Sequence, residues 1–301
     1  MNDALPVWRS LLYVPAHVDR FVAKAHERGA DCIQIDLEDS VPAAAKDAAR
    51  SLVQRNASRV RRGGADVLVR INRPLSLAVR DIEASVSPDV DGFVLPKVGS
   101  ADHVRLLEDH IAETELRLGL VVGHSRLVVL IETAAAWLAM ADIAKASPRI
   151  VGLNLGSEDF ALDCAMDATP EALQVAKQHV VFAARAAGIL PLGVVGSMAD
   201  FGDEAAFREM VRRSRRFGFA GASCIHPAQV PILNELFAPS HEEVEAARRV
   251  VAALAAAAKD GLGATAIDGR MIDAPIAERA MRTMERQAAI EARSQRARTV
   301  R

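Results

Sequence analysis

Two short apolar runs lead into acids: Val128–Val129–Leu130–Ile131 runs directly into Glu132, and Val151–Gly152–Leu153–Asn154–Leu155 is soon followed by Asp159. Two further strand-like runs end in charge. Val67–Leu68–Val69 stops at Arg70, and Cys32–Ile33–Gln34–Ile35 stops at Asp36–Leu37–Glu38–Asp39. Carboxylates at the ends of buried strands are oxygen ligands for a hard cation. Mg²⁺ takes one or two and leaves its other positions to water and substrate. An arginine nearby can offset negative charge building on a substrate oxygen. On this reading Glu132 and Asp159 are the metal ligands and Glu132 also faces substrate. Arg70 binds substrate and acts in catalysis, supported by Asp36 and Glu38. Each residue also has a plainer role open to it. Glu132 can cap the helix that follows its strand, Glu158 competes with Asp159, and Arg70 can simply neutralise Asp36 or Glu38. Arg20 and Lys24, with His17, follow the first strand and suit either substrate phosphates or a solvated helix face. Lys97 and His226 are equally open.

The elements that must position these groups alternate along nearly the whole chain. Strands are expected near 10–15, 32–36, 67–71, 92–95, 127–131, 150–155, 190–195 and 222–225. Helical patterns are expected over 18–28, 44–61, 77–87, 101–118, 133–146, 170–187, 204–217 and 229–237. Regular strand–helix pairs imply a parallel sheet with helices outside, and this number of pairs predicts a closed (β/α)₈ TIM barrel, an α/β fold, over residues 1–238. A doubly wound sheet would share the alternation but not the count, and no G-x-G-x-x-G follows the first strand. Pro191 makes the seventh strand the weakest, since proline cannot donate to a ladder. Residues 239–301 lie outside the repeats as a C-terminal helical extension or lid. There Ser240 or His241 is placed to cap an alanine-rich helix through Lys259. The arginine-rich end (Arg293, Arg296, Arg298, Arg301) reads as a solvated terminus.

Half of the 301 residues are hydrophobic and a quarter charged, enough for a full core. A formal net charge of −2 gives no footprint for nucleic acid or an anionic membrane. No apolar run approaches the ~20 residues of a spanning helix, and residues 1–6 lack a basic-then-apolar secretory pattern. Cys32, Cys164 and Cys224 are widely spaced and read as buried thiols in a reducing compartment. The cytoplasm is the expected location.

Several short motifs occur in a fixed order: Arg9-Ser10-Leu11-Leu12-Tyr13-Val14-Pro15, Gly29-Ala30-Asp31, Asp36-Leu37-Glu38-Asp39-Ser40-Val41, and Lys46 with Arg50. Arg70-Ile71-Asn72, Leu95-Pro96-Lys97, Ile131-Glu132-Thr133, Gly156-Ser157-Glu158-Asp159, Cys224-Ile225-His226-Pro227-Ala228-Gln229 and Met271-Ile272-Asp273 follow. In these the chain resembles the HpcH/HpaI aldolase/citrate lyase family. The likeness is to its citrate lyase β-subunit-like branch, which includes malyl-CoA and citramalyl-CoA lyases. The resemblance implies a barrel with a C-terminal extension, Glu132 and Asp159 as Mg²⁺ ligands, and Arg70 beside the thioester carbonyl. It implies that Asp273 is an acid/base aspartate carried by the lid to an adjacent subunit, hence a homotrimer or hexamer. The expected reaction is cleavage of a 3-hydroxyacyl-CoA thioester to a 2-oxo acid and an acyl-CoA. A citrate lyase β subunit acting on citryl-acyl carrier protein, a malyl-CoA thioesterase and a non-catalytic acyl-CoA-binding barrel are the rivals. Three departures stand away from the metal pair and bear on the acyl group and its carrier. Ala16 replaces a usual glycine, Ala222-Ser223-Cys224 lacks a usual lysine, and Leu192–Gly193–Val194–Val195–Gly196–Ser197–Met198 lacks a usual aspartate.

Overall fold

Side chains alternate across a strand, so every second residue of a barrel strand faces the interior. In the computed structural model, which describes residues 5–199 and 202–299 with side chains to 295, this parity organises the whole first unit. The N-terminal residues 1–4, the side chains of Arg296 and Arg298, and Arg301 lie outside the described residues. The strands are β1 (Ser10–Pro15), β2 (Cys32–Asp36), β3 (Asp66–Arg70), β4 (Gly92–Leu95), β5 (Arg126–Ile131), β6 (Ile150–Leu155), β7 (Leu190–Pro191) and β8 (Ala222–Cys224). They form one eight-stranded sheet in the order β7-β6-β5-β4-β3-β2-β1-β8, with every neighbouring pair parallel. The two ends meet. A parallel bridge joins Leu192 to Gly221, the Ala220 N–H donates to Pro191 O at 2.9 Å, and the Gly193 N–H donates to Gly221 O at 2.8 Å. The result is the (β/α)₈ barrel.

Two hydrophobic layers hold it. Outside, Ile33, Ile35, Val67, Val69, Phe93, Leu127 and Val129 pack under the helices. Inside, Leu11, Cys32, Leu68, Val94, Val128 and Leu130 form a second cluster with Leu190 and Leu192. Continuing each inward series by two residues reaches Tyr13, Gln34 then Asp36, Arg70, and Glu132. The site residues are therefore the top layer of the interior, where burial gives way to the cavity.

The seventh strand differs from expectation. The chain pairs as strand only over Leu190–Pro191 because Pro191 has no N–H to donate and Gly193 takes φ 132°, a backbone open to glycine. Two expected helices are broken: 44–61 becomes a 3₁₀ turn, Ala43–Ala45, followed by Lys46–Ser51 and Val53–Arg61, and 133–146 becomes Ala134–Leu138 and Met140–Ile143. Motif residues at the opposite end of the barrel serve packing. Arg9 pairs with Asp31 through Nε and Nη2, each at 2.8 Å, and the Ser10 hydroxyl donates to Asn234 at 2.7 Å.

The second unit spans Ala238–Thr299. Ser240, rather than His241, caps the helix His241–Lys259, in a reciprocal capping box with Glu243. An antiparallel hairpin of β9 (Thr265–Ile267) and β10 (Arg270–Ile272) follows. Its turn, Asp268–Gly269, has φ of 50° and 77°, the left-handed pair that an Asp-Gly hairpin turn demands. Asp273 then opens the helix Ala274–Thr299, with its Oδ1 accepting the Ile276 N–H at 3.3 Å. Among the described residues no helix is long and apolar enough to cross a membrane.

Candidate active site

Arg70 is the last residue of β3, and its guanidinium lies across the neighbouring strand end. Nε and Nη2 donate to the two oxygens of Asp36, each at 2.7 Å, and Nη1 stands 2.9 Å from Glu38 Oε2. The Tyr13 ring lies under it, with Cζ 4.5 Å from the ring centroid. Arg70, Tyr13, Leu130, Glu132, Asn154, Glu158, Asp159, Lys177 and Ser223 line one cavity at the C-terminal ends of the strands, the end at which barrels do chemistry.

The acids divide by their partners. Asp36 is buried and saturated: it also accepts the Glu38 and Ser40 N–H groups at 3.0 and 3.2 Å, and the Ser40 hydroxyl. Burial opposes its ionisation, but the Arg70 and Ser40 donors outweigh that and hold its carboxyl below the usual range. Glu38 goes the other way, because burial and the adjacent Asp39 charge outweigh Arg70 and Lys97 and raise it. Lys46 pins this acidic turn from behind, donating to Leu37 O and Glu38 O at 2.9 Å each. Burial pushes Glu132 up to about 7, helped by the charges of Glu38 and Asp159 and opposed by the Lys97 N–H that its Oε2 accepts. Burial also keeps the Tyr13 phenol neutral, well above its ordinary value.

Local contacts bear on several of the alternatives. The helix after β5 is capped by Thr133, whose hydroxyl accepts the Ala136 N–H at 3.1 Å, so Glu132 is not spent as a cap. Glu158 accepts from the Ser197 hydroxyl at 2.5 Å, whereas Asp159 Oδ1 faces the Lys97 ammonium at 3.4 Å. Arg70 does form the plain ion pair with Asp36, and it faces the cavity as well.

The donor set suits Mg²⁺. Glu132 and Asp159 are hard oxygen donors, and a buried carboxylate pushed up by like charges is relieved by a cation. Gly156 leaves the room this needs, since a Cβ there would stand 2.6 Å from Glu132 Oε1. Among the described residues no group of three or more His, Cys, Asp and Glu side chains is arranged to hold a metal. A pair that leaves the remaining positions to water and substrate matches Mg²⁺ rather than a closed structural site.

Other candidates lie apart. Arg20 and Lys24 sit exposed on the helix Asp19–Ala25, Arg20 stacking over Phe21 at 4.8 Å, and neither lines the cavity. His226 is exposed, and its Nδ1 accepts the Ala228 N–H at 3.3 Å. Asp273 belongs to the second unit. Sequence reasoning passed over Tyr13 and Lys177. Tyr13 was findable by parity from Leu11. Lys177 sits mid-helix in Pro170–Ala187 with nothing local to mark it, yet it is buried and its Nζ donates to Leu155 O at 2.8 Å.

An eight-stranded barrel with two acids and a stacked arginine at its strand ends defines the class of protein. The profile of the HpcH/HpaI aldolase/citrate lyase family matches residues 9–227, and the chain belongs to this family. It is 35% identical over 281 residues to citrate lyase subunit beta of Escherichia coli (strain K12), covering 92% of each chain. To a (3S)-malyl-CoA thioesterase of Cereibacter sphaeroides it is 34% identical over 269 residues, 88% of this chain and 90% of that one. Among solved structures it matches protein CitE from Mycobacterium tuberculosis in complex with magnesium, acetoacetate and coenzyme A. That likeness has a TM-score of 0.74 at 28% identity and covers 96% of this chain and 100% of that one.

Proposed function

We propose that the chain is a Mg²⁺-dependent carbon–carbon lyase that cleaves a 3-hydroxyacyl-CoA thioester, malyl-CoA or citramalyl-CoA, to a 2-oxo acid and an acyl-CoA. The observation that carries this is that the Glu132/Asp159 pair and the Arg70 guanidinium stacked on Tyr13 line one cavity. Mg²⁺ held by Glu132 and Asp159 would supply Lewis-acid polarisation of the substrate's hydroxyl and carboxylate oxygens. Arg70, whose orientation Asp36 and Glu38 fix, offsets the charge that reaches the thioester oxygen as the carbon–carbon bond breaks. That interaction is stronger in the transition state than in the bound substrate. The hydroxyl proton leaves to a base, the bond's electron pair becomes the thioester enolate, and an acid returns a proton to its carbon. By the family resemblance Asp273 serves as that acid/base group, brought to the site of an adjacent subunit in a homotrimer or hexamer. Such help is worth roughly 10²–10⁴-fold. The cavity, about 230 Å³, holds the acid end of such a thioester, since one water takes about 30 Å³. The nucleotide lies outside it, where Arg20 and Lys24 are free to meet its phosphates. Cys32, Cys164 and Cys224 form no disulfide with one another, which suits the cytoplasm.

The thioesterase among the relatives supports a second reading, hydrolysis of the same substrate by a water at the thioester carbonyl. Incubating the purified protein with malyl-CoA or citramalyl-CoA and Mg²⁺, and following free thiol and 2-oxo acid separately, tests both. Oxo acid without thiol, lost in Asp159→Ala, is the expected result. Thiol without oxo acid would make the chain a thioesterase. Neither product would point to a carrier-protein substrate, as in a citrate lyase complex, or to a binding barrel.

A further inference from the structure

Lys97 stands just past β4 with a left-handed φ of 49°, a backbone that a non-glycine residue keeps only where its surroundings require it. What it gains there is reach. Its N–H donates to Glu132 Oε2 and its carbonyl accepts from Arg73 Nε at 3.0 Å. Its ammonium lies 3.0 Å from Glu38 Oε1, 3.4 Å from both oxygens of Asp39 and 3.4 Å from Asp159 Oδ1. One residue thus touches the acids that follow β2, β5 and β6. The other cation of the cluster, Arg70, cannot shift: its guanidinium is paired two-to-two with Asp36 and packed on Tyr13. Lys97 can. Its side chain is 31% exposed against 13% for Arg70, and an ammonium is a point charge on a flexible stem, with no fork to keep in register.

We propose that Lys97 is the internal counter-cation of this site, a positioning residue whose ammonium is shared by Glu38, Asp39 and Asp159 and competes with a divalent cation for Asp159. When the cation takes Glu132 and Asp159, the ammonium withdraws onto Glu38 and Asp39, while the Lys97 N–H keeps Glu132 in place. The inference rests on Glu132 and Asp159 being the metal ligands. It adds that cation affinity is set by an exchange inside the protein, in which Asp39, which need not touch the metal, decides how readily Lys97 lets go.

A double-mutant cycle read by Mn²⁺ binding (electron paramagnetic resonance of free Mn²⁺, no substrate present) tests this. Lys97→Met should bind Mn²⁺ about tenfold more tightly than the wild type. Asp39→Asn should weaken binding several-fold in the wild-type background, because the freed ammonium settles on Asp159. In the K97M background the same change should matter less than about twofold. Equal effects of D39N in both backgrounds would reduce Lys97 to a fixed charge felt through space and overturn the proposal, as would a K97M protein that binds no tighter. Lys97→Gln provides the same cycle if K97M does not fold. Asp159→Asn is the control for the underlying reading. Wild-type protein that fails to bind Mn²⁺, or binds it no better than D159N, removes the metal assignment and this inference with it. Binding that D159N abolishes, combined with an additive cycle, removes this inference alone.

Discussion

The guanidinium of Arg70 is gripped along one edge by Asp36, at another nitrogen by Glu38 and on one face by Tyr13, so in the proposed reaction it would meet the substrate oxygen already oriented. Lys177 presents a different electrostatic situation nearby. Burial lowers it to about 7, opposed only in part by Glu158, and its Nζ donates to the Leu155 carbonyl at the end of β6. Between about 7 and the ordinary 10.5, the unfolded chain holds a proton on this lysine that the folded chain lacks, so stability rises with pH across that window. The slope is at most about 1.4 kcal/mol per pH unit, and it vanishes below about 7, where both states are protonated. Urea unfolding of wild type and Lys177→Met at pH 6 to 10 should give curves that run parallel below pH 7. Above it the wild type should gain on the variant. Parallel curves throughout would mean that Lys177 keeps its charge when folded.

Strand ends and the turns beyond them carry the site, and their tolerance is set by a few close approaches. Gly156 packs against the Glu132 carboxylate so closely that a Cβ would stand 2.6 Å from Oε1 and 2.7 Å from Cγ. Gly156→Ala should therefore push Glu132 off its Lys97 N–H. We expect Mn²⁺ affinity to fall at least ~10-fold, with a stability loss of only about 1–3 kcal/mol, because the flexible end of Glu132 yields before the backbone does. Calorimetric unfolding beside a Mn²⁺ titration measures both. Unchanged affinity would mean that the Glu132 position seen here is not the metal-binding one. The same reasoning explains the two-residue β7. With Pro191 unable to donate and Gly193 turning away, closure passes to Leu192 and Gly221.

At the scale of the molecule, the second unit, with its capped helix, Asp-Gly hairpin and closing helix, bears Asp273, the acid/base group of the proposed reaction. Asp273 also caps its own helix, so the two roles must be separated. Asparagine caps as well as aspartate but does not exchange a proton. Asp273→Asn should keep the wild-type melting temperature and Mn²⁺ affinity while lowering lyase turnover by roughly 10²-fold or more. If the residue serves a neighbouring subunit, mixing inactive D273N with inactive D159N after gentle dissociation should restore activity, because some sites then hold both intact groups. Sedimentation should show a trimer or hexamer. A monomer, or mixtures that stay inactive, would place the acid/base group elsewhere.

Read alone, the sequence determined the alternation of strands and helices, the barrel count, the family and the short set of strand-end acids with Arg70. These are local facts: period-two burial, the position of a charge after an apolar run, and the order of motifs. It left open whether Glu132 caps a helix, whether Glu158 or Asp159 is the ligand, and which groups Lys97 meets. Tyr13 stood there only as one residue of a motif, and nothing marked Lys177. Only the tertiary structure decided the contacts of Lys97, Tyr13 and Lys177, because each depends on groups far apart in the chain. The Thr133 cap is local, but a left-handed backbone swings Lys97 from β4 to the acids beyond β2 and β6, and burial raises Glu132 and lowers Lys177. Desolvation and cross-barrel pairing exist only once the ring has closed, and no local pattern encodes them.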